Sequence, residues 1–242
     1  MSVYILPDLE AISYKAAEIF LRLSKQHISS TNRFVVALSG GTTPRKLYTL
    51  LGSDIFRNEI DWSNIHFFWV DERCVPGDDE ESNYKLAYDT FLSKVSVRTS
   101  NIHRIRGEEG PDEAASEYER DMRAFFGTSG FPVFDLIMLG IGEDGHTASL
   151  FPGTISLEEK TRLAVPVYTK KLKSNRVTVT LPVLNNADQI IFLVAGRSKT
   201  HIVRSVLAGD KKRKQYPAGL INPANDKIQW LIDREAAGIV KL

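Results

Sequence analysis

The segment "IMLGIGEDGHTASLFPG", residues 137–153, ends an apolar run in two glycines and then sets Glu143, Asp144 and His146 close together. Histidine titrates where a general base must, and a neighbouring carboxylate can fix its tautomer and stabilise the imidazolium formed on proton abstraction. His146 is therefore a candidate base, with Asp144 or Glu143 as its orienting acid. A lone histidine more often serves structure, and a polar loop over a buried strand has similar composition. The acid neighbours and the strand exit favour catalysis. Metal binding finds less support, because His27, His66, His103 and His201 show no paired spacing of the H-x-x-x-H kind.

Three other polar segments follow apolar runs. "SGGTTPRKLY" (39–48) sets two glycines ahead of a helix whose first turn is marked by Pro44. Its backbone N–H groups, with the dipole of the helix start, suit an anion, so Ser39, Gly40, Gly41, Thr42 and Thr43 form a candidate phosphate cradle. A tight turn with a threonine cap is the plainer reading of the segment alone, and it matches neither the P-loop nor the dinucleotide fingerprint. "FFWVDERCVPGDDEESNYKL" (67–86) places Asp71, Glu72 and Arg73 after an aromatic run. Arg73 could fork onto phosphate or carboxylate oxygens, with an acid orienting it or meeting sugar hydroxyls; a surface ion pair is the alternative. Arg73 could also depress the pKa of Cys74, although no second cysteine supports redox or metal work and Cys74 reads as a bystander. "GDDEES" reads as a solvated loop, with Ser82 or Asn83 capping the next helix. "RVTVTLPVLNNADQIIFLVAGRSKT" (176–200) supplies Arg176 at a strand start and Lys199 just past a strand. Each alone reads as a solvated cation; converging on the first loop, they would surround a dianion.

These segments need a frame to bring them together. "RFVVAL" (33–38), "IHFFWV" (65–70), "FDLIMLG" (134–140) and "QIIFLVAG" (189–196) are continuous and apolar, as strands buried on both faces are. An amphipathic helix is expected over about 8–27, with Leu9, Ile12, Ala16, Ile19, Phe20 and Leu23 at helical spacing. Further helices are expected to begin near Pro44, Asn83, Asp112 and Arg197. The alternation predicts an α/β fold, an open, mostly parallel, doubly wound sheet with helices on both faces, in one domain over 1–242. "RVTVTLPVL" (176–184) alternates as an additional strand would, and 228–238 reads as a last strand. Ligands of such sheets collect at the carboxyl ends of the strands, where all four polar exits fall.

Composition narrows the function classes. Lys plus Arg number 31 against 30 Asp plus Glu, so bulk charge offers no attraction to nucleic acid or anionic membrane. "GDKKRK" (209–214) is short and without aromatic interleaving, and reads as a solvated helix end or loop. A 43% apolar fraction supports a core, while the longest apolar runs are strand-sized. A single cysteine and an N-terminus without a secretion signal fit a soluble cytoplasmic protein, as a monomer or small homo-oligomer.

Taken together, "ALSGGTTPRKLY", "FFWVDERCVP" followed by "ESNYKLA", "FDLIMLGIGEDGHTASLFPG", "RVTVTLPVLNNA" and "FLVAGRSKT" resemble the 6-phosphogluconolactonase family, from about residue 33 onward. The resemblance implies a sugar-phosphate isomerase-like fold and hydrolysis of 6-phospho-D-glucono-1,5-lactone without metal or organic cofactor. It implies His146 as base and Asp144 as its holder. Phosphate contacts carry over to Ser39, Gly40, Gly41 and Thr42, with Arg73, Arg176 and Lys199 as candidate cations and Asp71 orienting Arg73 or a sugar hydroxyl. The related glucosamine-6-phosphate deaminases continue "G-H-I-A-F-N-E-P", with a glutamate five residues after the histidine to assist ring opening. Here that position is Phe151, which cannot move a proton. A non-catalytic sugar-phosphate sensor would attach a helix-turn-helix segment, and residues 1–32 offer one amphipathic helix and no recognition helix.

Overall fold

In the computed structural model, the apolar runs become strands because residues rich in Val, Ile and Phe satisfy their backbone only by pairing when buried on both faces. The structure describes residues 1–168, 175–208, 211–224 and 226–238. In chain order the elements are β1 (Ser2–Leu6), α1 (Leu9–Thr31), β2 (Phe34–Leu38), α2 (Thr42–Leu51), α3 (Asp54–Arg57), β3 (Ile65–Trp69), β4 (Asp71–Arg73) and α4 (Asn83–Thr90). There follow α5 (Pro111–Phe126), β5 (Leu136–Leu139), β6 (Ala164–Val167), β7 (Arg176–Val179), α6 (Leu181–Asn185), β8 (Ile190–Val194), α7 (Thr200–Leu207) and β9 (Ile228–Asp233).

The main sheet has the order β1-β9-β8-β5-β2-β3, and every pair is parallel. All polar exits of β2, β3, β5 and β8 therefore lie at one edge. A second, three-stranded antiparallel sheet, β4-β7-β6, stands beyond the end of β3. The two sheets are joined at Val70, whose N–H donates to Leu38 at 2.9 Å and whose carbonyl accepts from Val179 at 2.8 Å.

Consecutive strand residues face opposite sides, and β3 shows what covers each. Phe67 meets Trp62 and Phe91, and Trp62 in turn meets Phe20 of α1. Phe68 meets Tyr118, Phe125 and Phe126 of α5. Helices thus cover both faces. The start of α1 follows from Asp8, whose carboxylate accepts from the Ala11 N–H at 2.9 Å, and its end from Asn32, in the left-handed region at φ 59°. Between these caps Ile12, Ala16, Ile19, Phe20 and Leu23 are buried. Burying each of the larger side chains contributes about 1.5–3 kcal/mol.

Several boundaries depart from the sequence reading. β1 was not anticipated: its first four residues are exposed, and it exists by pairing with β9 across nearly the whole chain. The strand in 176–184 stops at Val179, where Pro182 in the first turn of α6 ends the ladder. The strand in 228–238 stops at Asp233, and a turn follows. α1 runs on to Thr31, and α7 begins at Thr200 after a 3₁₀ turn over Arg197–Lys199. In "GDKKRK", Gly209 and Asp210 lie outside the described residues, while Arg213 donates to the carbonyls of Gly219 and Ile221 at 3.0 and 3.2 Å. Among the described residues, no helix is long and apolar enough to cross a membrane.

Candidate functional site

The carboxyl edge of β2, β5 and β8 encloses a cleft of about 240 Å³ lined by Ser39, Gly40, Gly41, Thr42, Asp71, Arg73, His146 and Lys199, together with Asn83, Gly142 and Ala148. On the β2 side, Ser39 is a brace. Its hydroxyl donates to the Met138 carbonyl at 2.6 Å, and its carbonyl accepts from the buried Tyr48 hydroxyl at 2.6 Å. Gly41, at φ 101°, turns the chain into α2 in a conformation closed to most side chains. No side chain caps α2, so neither Thr42 nor Thr43 acts as the threonine cap that composition allowed. The first-turn N–H groups have no side-chain acceptor among the described residues, and Thr42, Thr43 and Pro44 line the cleft, which suits an anion.

At the exit of β3 the acid pair divides. Glu72 is buried and structural: it accepts from the backbone N–H groups of Arg73, Asn83 and Tyr84 at 2.7–2.8 Å and from the Ser82 hydroxyl at 3.0 Å. Burial pushes its carboxyl above the usual range, and the N–H groups of Asn83, Tyr84 and Arg73 oppose this. Ser82 caps α4, accepting from the Lys85 N–H at 3.2 Å. Asp71 faces the cleft, but it does not hold Arg73. It accepts from the Ser149 hydroxyl at 2.6 Å and the Asn83 amide at 3.2 Å, while the Arg73 guanidinium donates to the carbonyl of Glu81.

Arg73 lies opposite Arg176 in the β4–β7 register, and each has a buried Nε with no hydrogen-bond partner among the described residues. Burial lowers the Arg176 guanidinium below its ordinary value, and the charge of Arg73 lowers it further, against Asp71. Two adjacent guanidiniums with unused donors favour an anion between or above them. Arg73 lines the cleft, whereas Arg176 is not among its lining residues. Arg73 does not depress the Cys74 thiol. Burial pushes that thiol up to about 11, with Arg176 opposing, so it stays protonated near neutral pH. Lys199 reaches the cleft from the turn after β8 without an ion pair among the described residues.

Beyond β5, the Gly142 N–H donates to the His146 carbonyl at 2.9 Å and Gly145 N–H to Gly142 at 3.0 Å, closing a tight turn with Gly145 at φ 82°. This turn sets His146 Nδ1 at 2.5 Å from Asp144 Oδ1. Burial acts to raise the Asp144 carboxyl. The His146 N–H, the imidazole charge and the Nδ1 hydrogen bond outweigh it, and the net shift is downward. An ionised Asp144 only accepts, so Nδ1 of a neutral ring carries the proton and Nε2 keeps its lone pair. Gly142 makes room: a Cβ there would lie 2.1 Å from ring atoms of His146. The Phe151 ring packs on the imidazole at a centroid distance of 4.6 Å. Glu143 takes no part in the pair. Ala148, at φ 49°, is a non-glycine residue held in the left-handed region on the cleft wall.

The fold thus brings Ser39, Gly40, Gly41, Thr42, Asp71, Arg73, His146 and Lys199 to one cleft, while Glu143, Asp144 and Arg176 are not among its lining; Asp144 holds His146, and Arg176 lies opposite Arg73 in the β4–β7 register. Asn83 and Ser149 had no assigned site role in the sequence. Their signal was burial of a polar side chain with no local partner, which only the tertiary contacts reveal.

A family model for glucosamine-6-phosphate isomerases/6-phosphogluconolactonase matches residues 7–230. A 6-phosphogluconolactonase of Synechocystis is 40% identical over 212 residues, covering 86% of this chain and 85% of its own. The crystal structure of a protein called devB superposes with a TM-score of 0.90 at 36% identity, covering 99% of each chain. A monomeric glucosamine-6-phosphate deaminase superposes with a TM-score of 0.80 at 24% identity, covering 99% of this chain and 100% of its own, a likeness of fold alone. With a family model spanning most of its length and a relative this similar, the chain belongs to the glucosamine-6-phosphate isomerase/6-phosphogluconolactonase family.

Proposed function

We propose that this chain is a 6-phosphogluconolactonase, hydrolysing 6-phospho-D-glucono-1,5-lactone to 6-phosphogluconate in the oxidative pentose phosphate pathway. The observation that carries the reading is one cleft holding an oriented imidazole, an uncapped helix start and two cations, Arg73 and Lys199, that form no ion pair among the described residues. The phosphate rests on the backbone of Ser39, Gly40, Gly41 and Thr42, with Arg73, Arg176 and Lys199 supplying positive charge. His146 Nε2 takes a proton from water as the oxygen bonds to the lactone carbonyl carbon, and Asp144 stabilises the imidazolium. The tetrahedral oxyanion is met by backbone N–H groups or a nearby cation. On collapse the bond from that carbon to the ring oxygen breaks, and the imidazolium returns its proton to the leaving oxygen. No covalent nucleophile is needed, and the protonated Cys74 is not placed to be one.

Fold does not separate this reading from the deaminase, since the deaminase fold superposes. Phe151 separates them, because it packs a ring without a proton against His146 where ring opening needs an acid. The test is turnover of freshly generated lactone above its spontaneous rate, with no ammonia released from glucosamine 6-phosphate. Absence of lactone turnover, or ammonia release, overturns the reading. Replacing Arg176 by alanine assigns that cation: it raises KM alone if Arg176 serves phosphate equally throughout, and lowers kcat if it serves the oxyanion. A phosphosugar lactone is the proposed ligand and the cytoplasm the proposed compartment.

A further inference from the structure

Base and anion cradle belong to different loops, after β5 and after β2, and chemistry requires a set distance between them. Ser39 and Met138 tie the roots of these loops together. Beyond that root, among the described residues, no hydrogen bond runs directly between residues 40–43 and residues 141–150. The connection passes instead through a buried polar chain. The Ser149 hydroxyl, on the His146 loop, donates to Asp71 Oδ2 at 2.6 Å. Asn83 Nδ2 donates to Asp71 Oδ1 at 3.2 Å and to the Asp71 carbonyl at 2.9 Å. The Asn83 amide in turn packs against Gly40: a Cβ on Gly40 would fall 1.7 Å from Asn83 Oδ1. Asp71, Asn83 and Ser149 are only 8%, 2% and 1% exposed, so each loses water on folding and depends on these partners.

We infer that Asp71 is a positioning residue, which through Ser149 on one side and Asn83 and Gly40 on the other sets where a bound phosphosugar stands relative to His146. This deepens the lactonase reading and rests on it for its kinetic consequences. It also departs from the expectation that Asp71 orients Arg73 or meets a sugar hydroxyl. Arg73 is turned to Glu81, and both Asp71 oxygens already serve protein donors.

Misalignment of a reacting pair costs rate rather than ground-state binding. Asp71→Ala and Asn83→Ala are expected to lower kcat about 10- to 100-fold with KM changed less than about threefold. Asp71→Asn is the discriminating variant. Its carbonyl still accepts from Asn83, and the Ser149 hydroxyl can accept from its amide, so kcat should return to within about fivefold of wild type. If Asp71 instead bound substrate or a cation by its charge, Asp71→Asn would be as damaged as Asp71→Ala, or would raise KM about tenfold or more, and either result overturns the inference. A second measurement is independent of turnover. In folded Ser149→Ala, amide hydrogen exchange should quicken in residues 39–43 as well as in 147–150, because the loops share the Asp71 bridge. Exchange confined to 147–150 overturns the coupling. Absence of lactone turnover in the wild type would sink the lactonase reading while the exchange result still decides the bridge.

Discussion

Two of the histidine–carboxylate pairs among the described residues have nearly the same local geometry and different surroundings. His146 Nδ1 stands 2.5 Å from Asp144, and His103 Nδ1 stands 2.9 Å from Asp121. The His103 ring is stacked on Phe68 with centroids 4.1 Å apart, and its Nε2 faces His66 Nδ1 at 3.4 Å. Its side chain is 10% exposed, against 33% for His146. A carboxylate on one nitrogen is therefore not what makes an imidazole a base. The second nitrogen must be free and aimed at an open cleft. His146 has that because Gly142 and Gly145 shape a turn around it, whereas the His103 ring packs on Phe68 and Phe125 and its second nitrogen faces the His66 imidazole.

Turnover should divide the pairs most sharply. His146→Ala is expected to lower kcat about 10²- to 10⁴-fold, while His103→Ala in the same lactone assay stays within about twofold. Equal losses in folded proteins would erase the distinction. Asp144→Asn comes next: an amide can donate to Nδ1 and impose the other tautomer, so kcat should fall about 10- to 100-fold, read against unchanged affinity for 6-phosphogluconate. Gly142→Ala should cost about tenfold in kcat by pushing the ring out of place, visible as a changed His146 imidazole signal by NMR. The smallest effect belongs to His66, the neighbour of His103, and concerns stability. Burial first, then the charges of His103, Arg33 and Arg98, lower His66 from 6.5 to about 4. Between those values the unfolded chain binds a proton that the folded chain does not, so this contribution to stability is lost as pH falls from 6.5 to 4. His66→Gln should flatten the wild-type decline in Tm over that window by a few degrees, discounted because the ring is only half-buried. Parallel declines in both proteins would contradict it.

How much of this was legible depended on how local the cause was. β2, β3, β5 and β8 were readable as continuous apolar runs, since burial on both faces writes itself into consecutive residues. The polar exits were readable for the same reason, because they begin where the runs end. β4 and β6 were not, having three and four residues each and existing only as partners of β7. Pairing of that kind is chosen by distant segments, as it was for β1 against β9. Within the site, His146 and Asp144 were readable as a pair because only Gly145 separates them in one tight turn. The division of Asp71 from Glu72 was not. Both are acids at a strand exit, and only the arrival of α4 and the β5 loop makes one a cap for Asn83 and Tyr84 and the other a bridge from Ser149 to Asn83.

The amino-acid sequence by itself determined the parallel α/β plan, the four strand exits, the imidazole with its acid, and the phenylalanine five residues beyond that imidazole. These are set by short-range patterning, and short-range patterning is what a chain carries along its length. Tertiary structure alone decided that Arg73 would lie across from Arg176 rather than pair with Asp71, that Cys74 would stay a protonated thiol, and that the second nitrogen of His103 would face His66. Each of those outcomes depends on which groups lose water together and which donors meet them there, and that is settled only when segments far apart in the chain are packed side by side.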